Sequence, residues 1–116
     1  MLMAINRNNE YLSSAACVSL TGCRALVTGA ASGIGEAICC RFARSGADLL
    51  MIDINQKGLE KVKASLSSCE VEIETHVLDL SRKAAIDDFW ESRKNHKPNI
   101  LVNNSGIYPA KRYLDV

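Results

Sequence analysis

The residues best suited to chemistry in this chain form one glycine-rich segment, TGAASGIG at residues 28–35. The segment follows a short apolar run and precedes apolar residues at helical spacing. A strand, a glycine turn and a helix in that order can bind a dinucleotide pyrophosphate, because the helix N-terminus offers unpaired N–H groups and the positive end of its dipole. We expect Gly29 to reverse the chain, Gly33 to let backbone approach the pyrophosphate, and Gly35 to let the helix lie close to the sheet.

Asp53 supplies a second, independent constraint on the same site. It ends the next apolar run, Asp48 to Asp53, about twenty residues after the turn, where a dinucleotide-binding unit carries an acid that accepts from the ribose hydroxyls. A carboxylate there repels the 2′-phosphate of NADP, and neighbouring Ile54 and Asn55 supply no cation. The sequence therefore predicts a preference for NAD. The alternative is that Asp53 is only a turn or helix-capping acid.

The elements that must position these residues alternate between strands and helices. Four apolar runs predict strands, over residues 24–28, 48–53, 71–78 and 100–102. Strands that alternate with helices indicate βαβ units, and nearly continuous apolar runs indicate a sheet that is covered on both faces. The expected fold class is therefore α/β: a Rossmann-type, doubly wound parallel sheet of about four strands and three helices.

The three helices are predicted from apolar spacing and from capping residues. The first has Ile34, Ala37, Ile38 and Phe42 on one face and ends at Gly46. The second begins near Asn55 and turns Leu59, Val62 and Leu66 inward. The third is expected to be capped by Ser81, with Ala85, Ile86, Phe89 and Trp90 inward.

Composition excludes several classes of protein. The 116 residues carry a net charge of +1 and are 47% hydrophobic, so there is neither a basic footprint for nucleic acid nor a bias toward disorder. No apolar run approaches the roughly 18 residues of a membrane span. The five cysteines form no Cys-x-x-Cys pair, which argues against a zinc site and favours free thiols in a reducing cytoplasm. Residues 1–19 are polar and lack an apolar signal stretch, so we expect a flexible N-terminal arm.

Three motifs together resemble a known family. The segment at residues 28–35 matches the T-G-x-x-x-G-x-G turn of the short-chain dehydrogenase/reductases at every fixed position. Asp79-Leu80 is similar to the pair that contacts adenine in that family, and Leu20-Thr21-Gly22 resembles its approach to the first strand. Asn103-Asn104-Ser105-Gly106 resembles its N-N-A-G motif, with Ser105 in place of alanine. The resemblance covers residues 20–108.

The resemblance implies a role for each matching residue in holding NAD. Asp79 is expected to bond the adenine amino group beside the Leu80 backbone, and Asn104 to lie near the ribose. Asn103 is expected to hold the fourth strand, although a purely local role fits an Asn in a turn equally well. The residues expected to line the pyrophosphate are Gly29, Ser32, Gly33, Ile34 and Gly35. The resemblance further implies that the whole protein is a homo-oligomeric oxidoreductase, which transfers hydride between a nicotinamide cofactor and an alcohol or carbonyl substrate.

The catalytic residues of the family do not match any position in this chain. Family members use a Ser and a Tyr-x-x-x-Lys pair, whereas Tyr108-Pro109-Ala110-Lys111 has only two residues between Tyr and Lys. We therefore interpret that segment as a loop and assign no catalytic residue. Residues 20–116 are expected to form an NAD-binding half-domain that is truncated before the catalytic segment, inactive by itself and poorly stable.

Two other functions fit parts of the sequence. A non-catalytic dinucleotide-binding or interaction module would bind NAD without turnover and would be stable as it stands. An S-adenosylmethionine-dependent methyltransferase also uses a glycine turn and an acid after the second strand. The motifs at residues 28–35 and 103–106 favour the dehydrogenase.

Overall fold

The computed structural model describes residues 4–5, 11–12 and 19–106. The predicted N-terminal arm therefore lies largely outside the described residues, and the segment from Tyr108 to Lys111 lies wholly outside them. A two-residue pairing, β1 (Ala4–Ile5) with β2 (Tyr11–Leu12), is antiparallel. The remaining elements are β3 (Arg24–Thr28), α1 (Gly33–Arg44), β4 (Asp48–Asp53), α2 (Gln56–Ser65), β5 (Ile73–Val77), α3 (Lys83–Glu91) and β6 (Ile100–Val102).

The main sheet has four parallel strands in the order β5-β4-β3-β6. Within this sheet the chain passes first through β3, moves outward through β4 and β5, and then returns to the other side of β3 to form β6. This reversal places a crevice at the carboxyl ends of β3 and β6, where open α/β sheets bind their ligands. The Rossmann-type fold that was predicted from the alternating runs is confirmed.

The core forms because β3 and β4 are apolar on both faces. Ala25, Val27, Leu49 and Met51 point to the face that α1 and α2 cover, together with Cys39, Leu59 and Val62. Leu26, Leu50 and Ile52 point to the opposite face, where Phe89 of α3 covers them. A central strand in such a sheet must be apolar at every position, which is why these runs lack the alternation of a half-buried strand.

The ends of α1 and α2 follow from local sequence. Gly46 has φ of 94°, and its N–H bonds the carbonyl of Ala43, so a glycine in the left-handed conformation ends α1 as predicted. Asn55 caps α2, since its side-chain oxygen accepts from the N–H of Gly58 at 3.0 Å.

Three predictions about helix faces and caps are wrong. Trp90 is 39% exposed, because Phe89 occupies the inward position one residue earlier. Arg82, not Ser81, holds the N-cap position of α3, since the Ser81 side chain bonds Asp79 instead. Ile34 is 72% exposed and Ala37 is also exposed, so the buried face of α1 is formed by Gly35, Cys39 and Ala43.

The outer strands of the described sheet are less protected. β6 pairs only with β3 within this part of the chain, and Leu101 on it is 54% exposed. The described cysteines, Cys23, Cys39, Cys40 and Cys69, form no disulfide with one another. Within residues 19–106 no helix is both long and apolar enough to cross a bilayer.

Candidate cofactor-binding site

The glycine turn between β3 and α1 is shaped by the positions at which a side chain cannot fit. A Cβ on Gly35 would lie 2.0 Å from the carbonyl oxygen of Gly29, so α1 can approach the turn this closely only with glycine there. Gly29 and Gly33 have φ of 65° and 60°, in the left-handed region that favours glycine. A Cβ on Gly33 would meet nothing within 4 Å, so this backbone faces open space.

The N-terminus of α1 presents free donors toward that space. Ser32 is the N-cap residue, and its side chain makes no capping hydrogen bond. Within the described part of the chain, the backbone N–H groups of residues 32–35 have no acceptor, whereas that of Glu36 donates to the Ser32 carbonyl. Free amides at a helix N-terminus form an anion site, and here the adjoining backbone is open as a pyrophosphate requires.

Asp53 lies at the end of β4 and joins the strand to the glycine turn. Its Oδ2 accepts from the N–H of Ala31 at 3.0 Å, and its Oδ1 accepts from the N–H of Asn55 at 3.0 Å. Each carboxylate oxygen can accept a second hydrogen bond, so the side chain can serve the turn and still bind ribose hydroxyls. The two roles that were weighed for Asp53 are therefore compatible in one geometry.

Asp79 and Leu80 follow β5 on the neighbouring side of the same edge. Asp79 Oδ1 accepts from the Ser81 N–H at 2.9 Å and from the Ser81 hydroxyl at 2.6 Å. These bonds hold the pKa of the Asp79 carboxyl below its usual range, so the group is ionised at neutral pH. Leu80 is partly buried and packs against the cluster that Phe89 forms with Leu26, Leu50 and Ile52.

Asn104 lies against the glycine turn from the other side, after β6. Its backbone N–H donates to the Thr28 hydroxyl at 2.9 Å, and its Nδ2 donates to the Gly29 carbonyl at 3.4 Å. The N–H of Ser105 donates to the same hydroxyl at 3.0 Å. The sequence analysis missed Thr28 as a site residue, although its fixed place before the first glycine was a usable signal.

These residues surround one cleft of about 740 Å³ at the carboxyl edge of the sheet. Among the candidate residues, Gly29, Ser32, Asp53, Asp79, Leu80 and Asn104 line it, together with Ile54, Leu78, Ser81, Ser105 and Gly106. Gly33, Ile34 and Gly35 adjoin it at the start of α1. Among the residues that the structure describes, the lining contains two carboxylates and no Lys or Arg. A second cleft, of about 490 Å³, lies away from this edge, beside Arg24, Glu72, Glu74 and Arg93.

The parallel sheet, the crevice at its reversal point and the glycine turn beside that crevice define the class, a Rossmann-type α/β domain. Residues 24–116 match the family described as short chain dehydrogenase, and the chain belongs to that family. The family resemblance is thereby confirmed. Membership also removes the methyltransferase alternative.

Individual relatives support the same assignment. The chain is 38% identical over 91 residues to a probable oxidoreductase, EphD, of Mycobacterium tuberculosis, an alignment that covers 77% of this chain and 15% of that protein. A metagenomic short-chain oxidoreductase solved with NADP is 34% identical, with a TM-score of 0.69 over 75% of this chain and 40% of the other. An NAD+-bound xylitol dehydrogenase is also 34% identical, with a TM-score of 0.70 over 76% of this chain and 35% of the other. The chain therefore spans well under half the length of each of these proteins.

Proposed function

We propose that this chain is the cofactor-binding part of an NAD-dependent short-chain dehydrogenase/reductase. A bound nicotinamide dinucleotide accepts or donates hydride, and the whole protein would transfer it from or to an alcohol or carbonyl substrate. The observation that carries the proposal is the row of free N–H groups at the start of α1. The backbone beside them faces open space, because a Cβ on Gly33 would have no neighbour within 4 Å.

Each side of the cleft has a role in this proposal. The N–H groups of residues 32–35 would bind the pyrophosphate, with Gly29 and Gly35 keeping the turn tight against α1. The free lone pairs of Asp53 would accept from the ribose hydroxyls of the adenosine. The Oδ2 of Asp79 would accept from the adenine amino group, since its Oδ1 is already engaged by Ser81. Exposed Ile34 and half-buried Leu80 would supply apolar contact.

The charge of the cleft supports NAD over NADP. Solved relatives are described with either cofactor, so family membership does not decide between the two. Asp53 and Asp79 both line the cleft, and within residues 19–106 its lining includes no cation that could pair with a 2′-phosphate. A phosphate carrying nearly two negative charges next to the Asp53 carboxylate would be repelled by roughly a kcal/mol or more.

Titration calorimetry of the chain with NAD and with NADP tests both parts of the proposal. We expect NAD to bind at least about tenfold more tightly, the ratio that corresponds to about 1.4 kcal/mol. Gly33→Val is the matched negative variant, because its side chain would fill the space that faces the pyrophosphate. Absence of binding to either dinucleotide would overturn the assignment, and tighter binding of NADP would overturn the cofactor preference. Binding by the whole protein without hydride transfer would favour a non-catalytic module.

A further inference from the structure

Arg93 is a buried charge that the proposed function does not use. Only 8% of the residue is exposed, and it lies two positions after the end of α3, with its N–H donating to the carbonyl of Trp90. A guanidinium is rarely buried to this extent unless it is fully paired. Its partners therefore indicate what holds this end of the helix.

Among the described residues, the side-chain partners of Arg93 belong to β5 and α3. Its Nη1 and Nη2 donate to the two carboxylate oxygens of Glu74 at 2.6 and 2.7 Å, a bidentate pair. Its Nη2 also donates to Nε2 of His76, and its Cζ lies 5.4 Å from the centre of the Phe89 ring. Bidentate, charge-assisted pairs of this kind fix geometry more strongly than single hydrogen bonds.

The pair lies beside the second cleft and joins β5 to the end of α3, two elements whose connecting loop borders the cofactor cleft. Residues 78–82 connect β5 to α3, and Leu78, Asp79, Leu80 and Ser81 line the cleft. One end of this loop continues from the strand that carries Glu74 and His76. The other end continues into α3, which ends at Glu91 with Ser92 as its C-cap, and Phe89 is the only residue of α3 that is buried. Arg93 therefore holds in place an element that has little apolar anchorage of its own.

We propose that Arg93 is a positioning residue for the adenine side of the cleft. It acts through Glu74 and His76 by holding α3 against β5, and this fixes the loop that carries Asp79. The inference rests on the proposed function for its ligand, but the positioning itself is a property of the chain without a cofactor.

Hydrogen exchange of backbone amides tests the positioning directly. In Arg93→Lys, which keeps the charge but not the two-pronged fork, we expect the amides of Ser81 and Arg82 to exchange at least about tenfold faster. The amides of Leu26 and Leu50 in the central strands should stay unchanged. Arg24→Lys is the matched control, since Arg24 pairs with the exposed Glu72 at 3.2 Å and does not touch α3.

Cofactor affinity separates this inference from the proposed function. We expect Arg93→Lys to weaken NAD binding several-fold and Arg24→Lys to leave it unchanged. Glu74→Gln provides a second variant if Arg93→Lys unfolds the chain. Unchanged exchange at Ser81 and Arg82 in both variants, or equal acceleration throughout the sheet, would overturn the positioning role. Failure of the unmodified chain to bind NAD would instead overturn the proposed function and leave the exchange result to decide the positioning.

Discussion

The backbone N–H of Asn104 donates to the hydroxyl of Thr28 at 2.9 Å and thereby joins the loop after β6 to the end of β3. The same hydroxyl accepts from the N–H of Ser105 and lies 3.4 Å from the carbonyl oxygen of Val102, to which it can donate its proton. A single buried side chain thus satisfies three backbone groups at the reversal point of the sheet. It holds the two walls of the cleft together through residues that are far apart in the sequence.

Replacing Thr28 should separate those two walls. Thr28→Val keeps the shape of the side chain but removes the acceptor, which leaves two N–H groups without their partner and costs about 1–3 kcal/mol. We expect urea denaturation to show this loss, whereas Thr28→Ser, which keeps the hydroxyl, should lose less than half as much. Equal stability of the Val and Ser variants would show that the hydroxyl does not hold the walls together.

Adding a methyl group to the second or to the third glycine of the turn, Gly33 or Gly35, should destabilise the chain for different reasons. In Gly35→Ala the Cβ would lie 2.0 Å from the Gly29 carbonyl oxygen, so α1 must move away and the variant should lose several kcal/mol of stability. In Gly33→Ala the Cβ meets open space, so only the positive φ opposes it, at a cost of about 1–2 kcal/mol. Thermal melts of the two variants side by side measure the difference.

The order of the elements was predictable because each one depends on local sequence. The apolar run from Leu49 to Ile52 indicates a strand that is buried on both faces, and Asn55 and Gly46 mark helix ends through their own side chains or backbone freedom. The placement of Asp53 beside the glycine turn followed from the same logic, because the carboxyl ends of adjacent parallel strands meet at one edge.

What the sequence did not reveal depends on contacts between distant residues. Trp90 fits the apolar stripe of α3, but it is Phe89 that packs against Leu50 and Ile52 of the sheet, and Trp90 stays exposed. Ser81 fits an N-cap, but Asp79 recruits its hydroxyl. The Arg93–Glu74 pair joins residues nineteen positions apart, and no periodic pattern indicates which carboxylate an arginine will meet.

Cys39 should be chemically inert in the folded chain. Burial, followed by the nearby Cys40 and Glu36, raises the pKa of the Cys39 thiol to about 12, so almost no thiolate is present at pH 8. Alkylation with iodoacetamide and peptide mass mapping should show Cys39 unmodified while the more accessible Cys23 reacts. Alkylation in denaturant is the control, and both residues should be modified there. Rapid labelling of Cys39 under native conditions would contradict its buried placement.

His76 should make the stability of the chain depend on pH. Arg93 can only donate to Nε2, so this contact requires the neutral form of His76, and Glu74 at 3.8 Å is too distant to bond that nitrogen. Burial first, and the charge of Arg93 second, lower the pKa of His76 below its usual 6.5, although the neighbouring carboxylate of Glu74 partly opposes this. As the pH falls through 6.5, the unfolded chain therefore binds a proton before the folded chain does.

The sign of the effect follows from that difference in proton binding. The contribution of His76 is fully present above pH 6.5 and is lost as the pH falls from 6.5 through the lower pKa of the folded state. Urea denaturation at intervals between pH 8 and pH 5 should show stability declining in this window. The Gln side chain of His76→Gln cannot titrate but still offers an acceptor to Arg93, so the stability of this variant should stay constant in that window. Its stability should decline only below pH 4.5, the ordinary pKa of a Glu, because Glu74 then begins to lose the charge that pairs it with Arg93. An identical decline in both proteins between pH 6.5 and pH 5 would assign the effect to other groups.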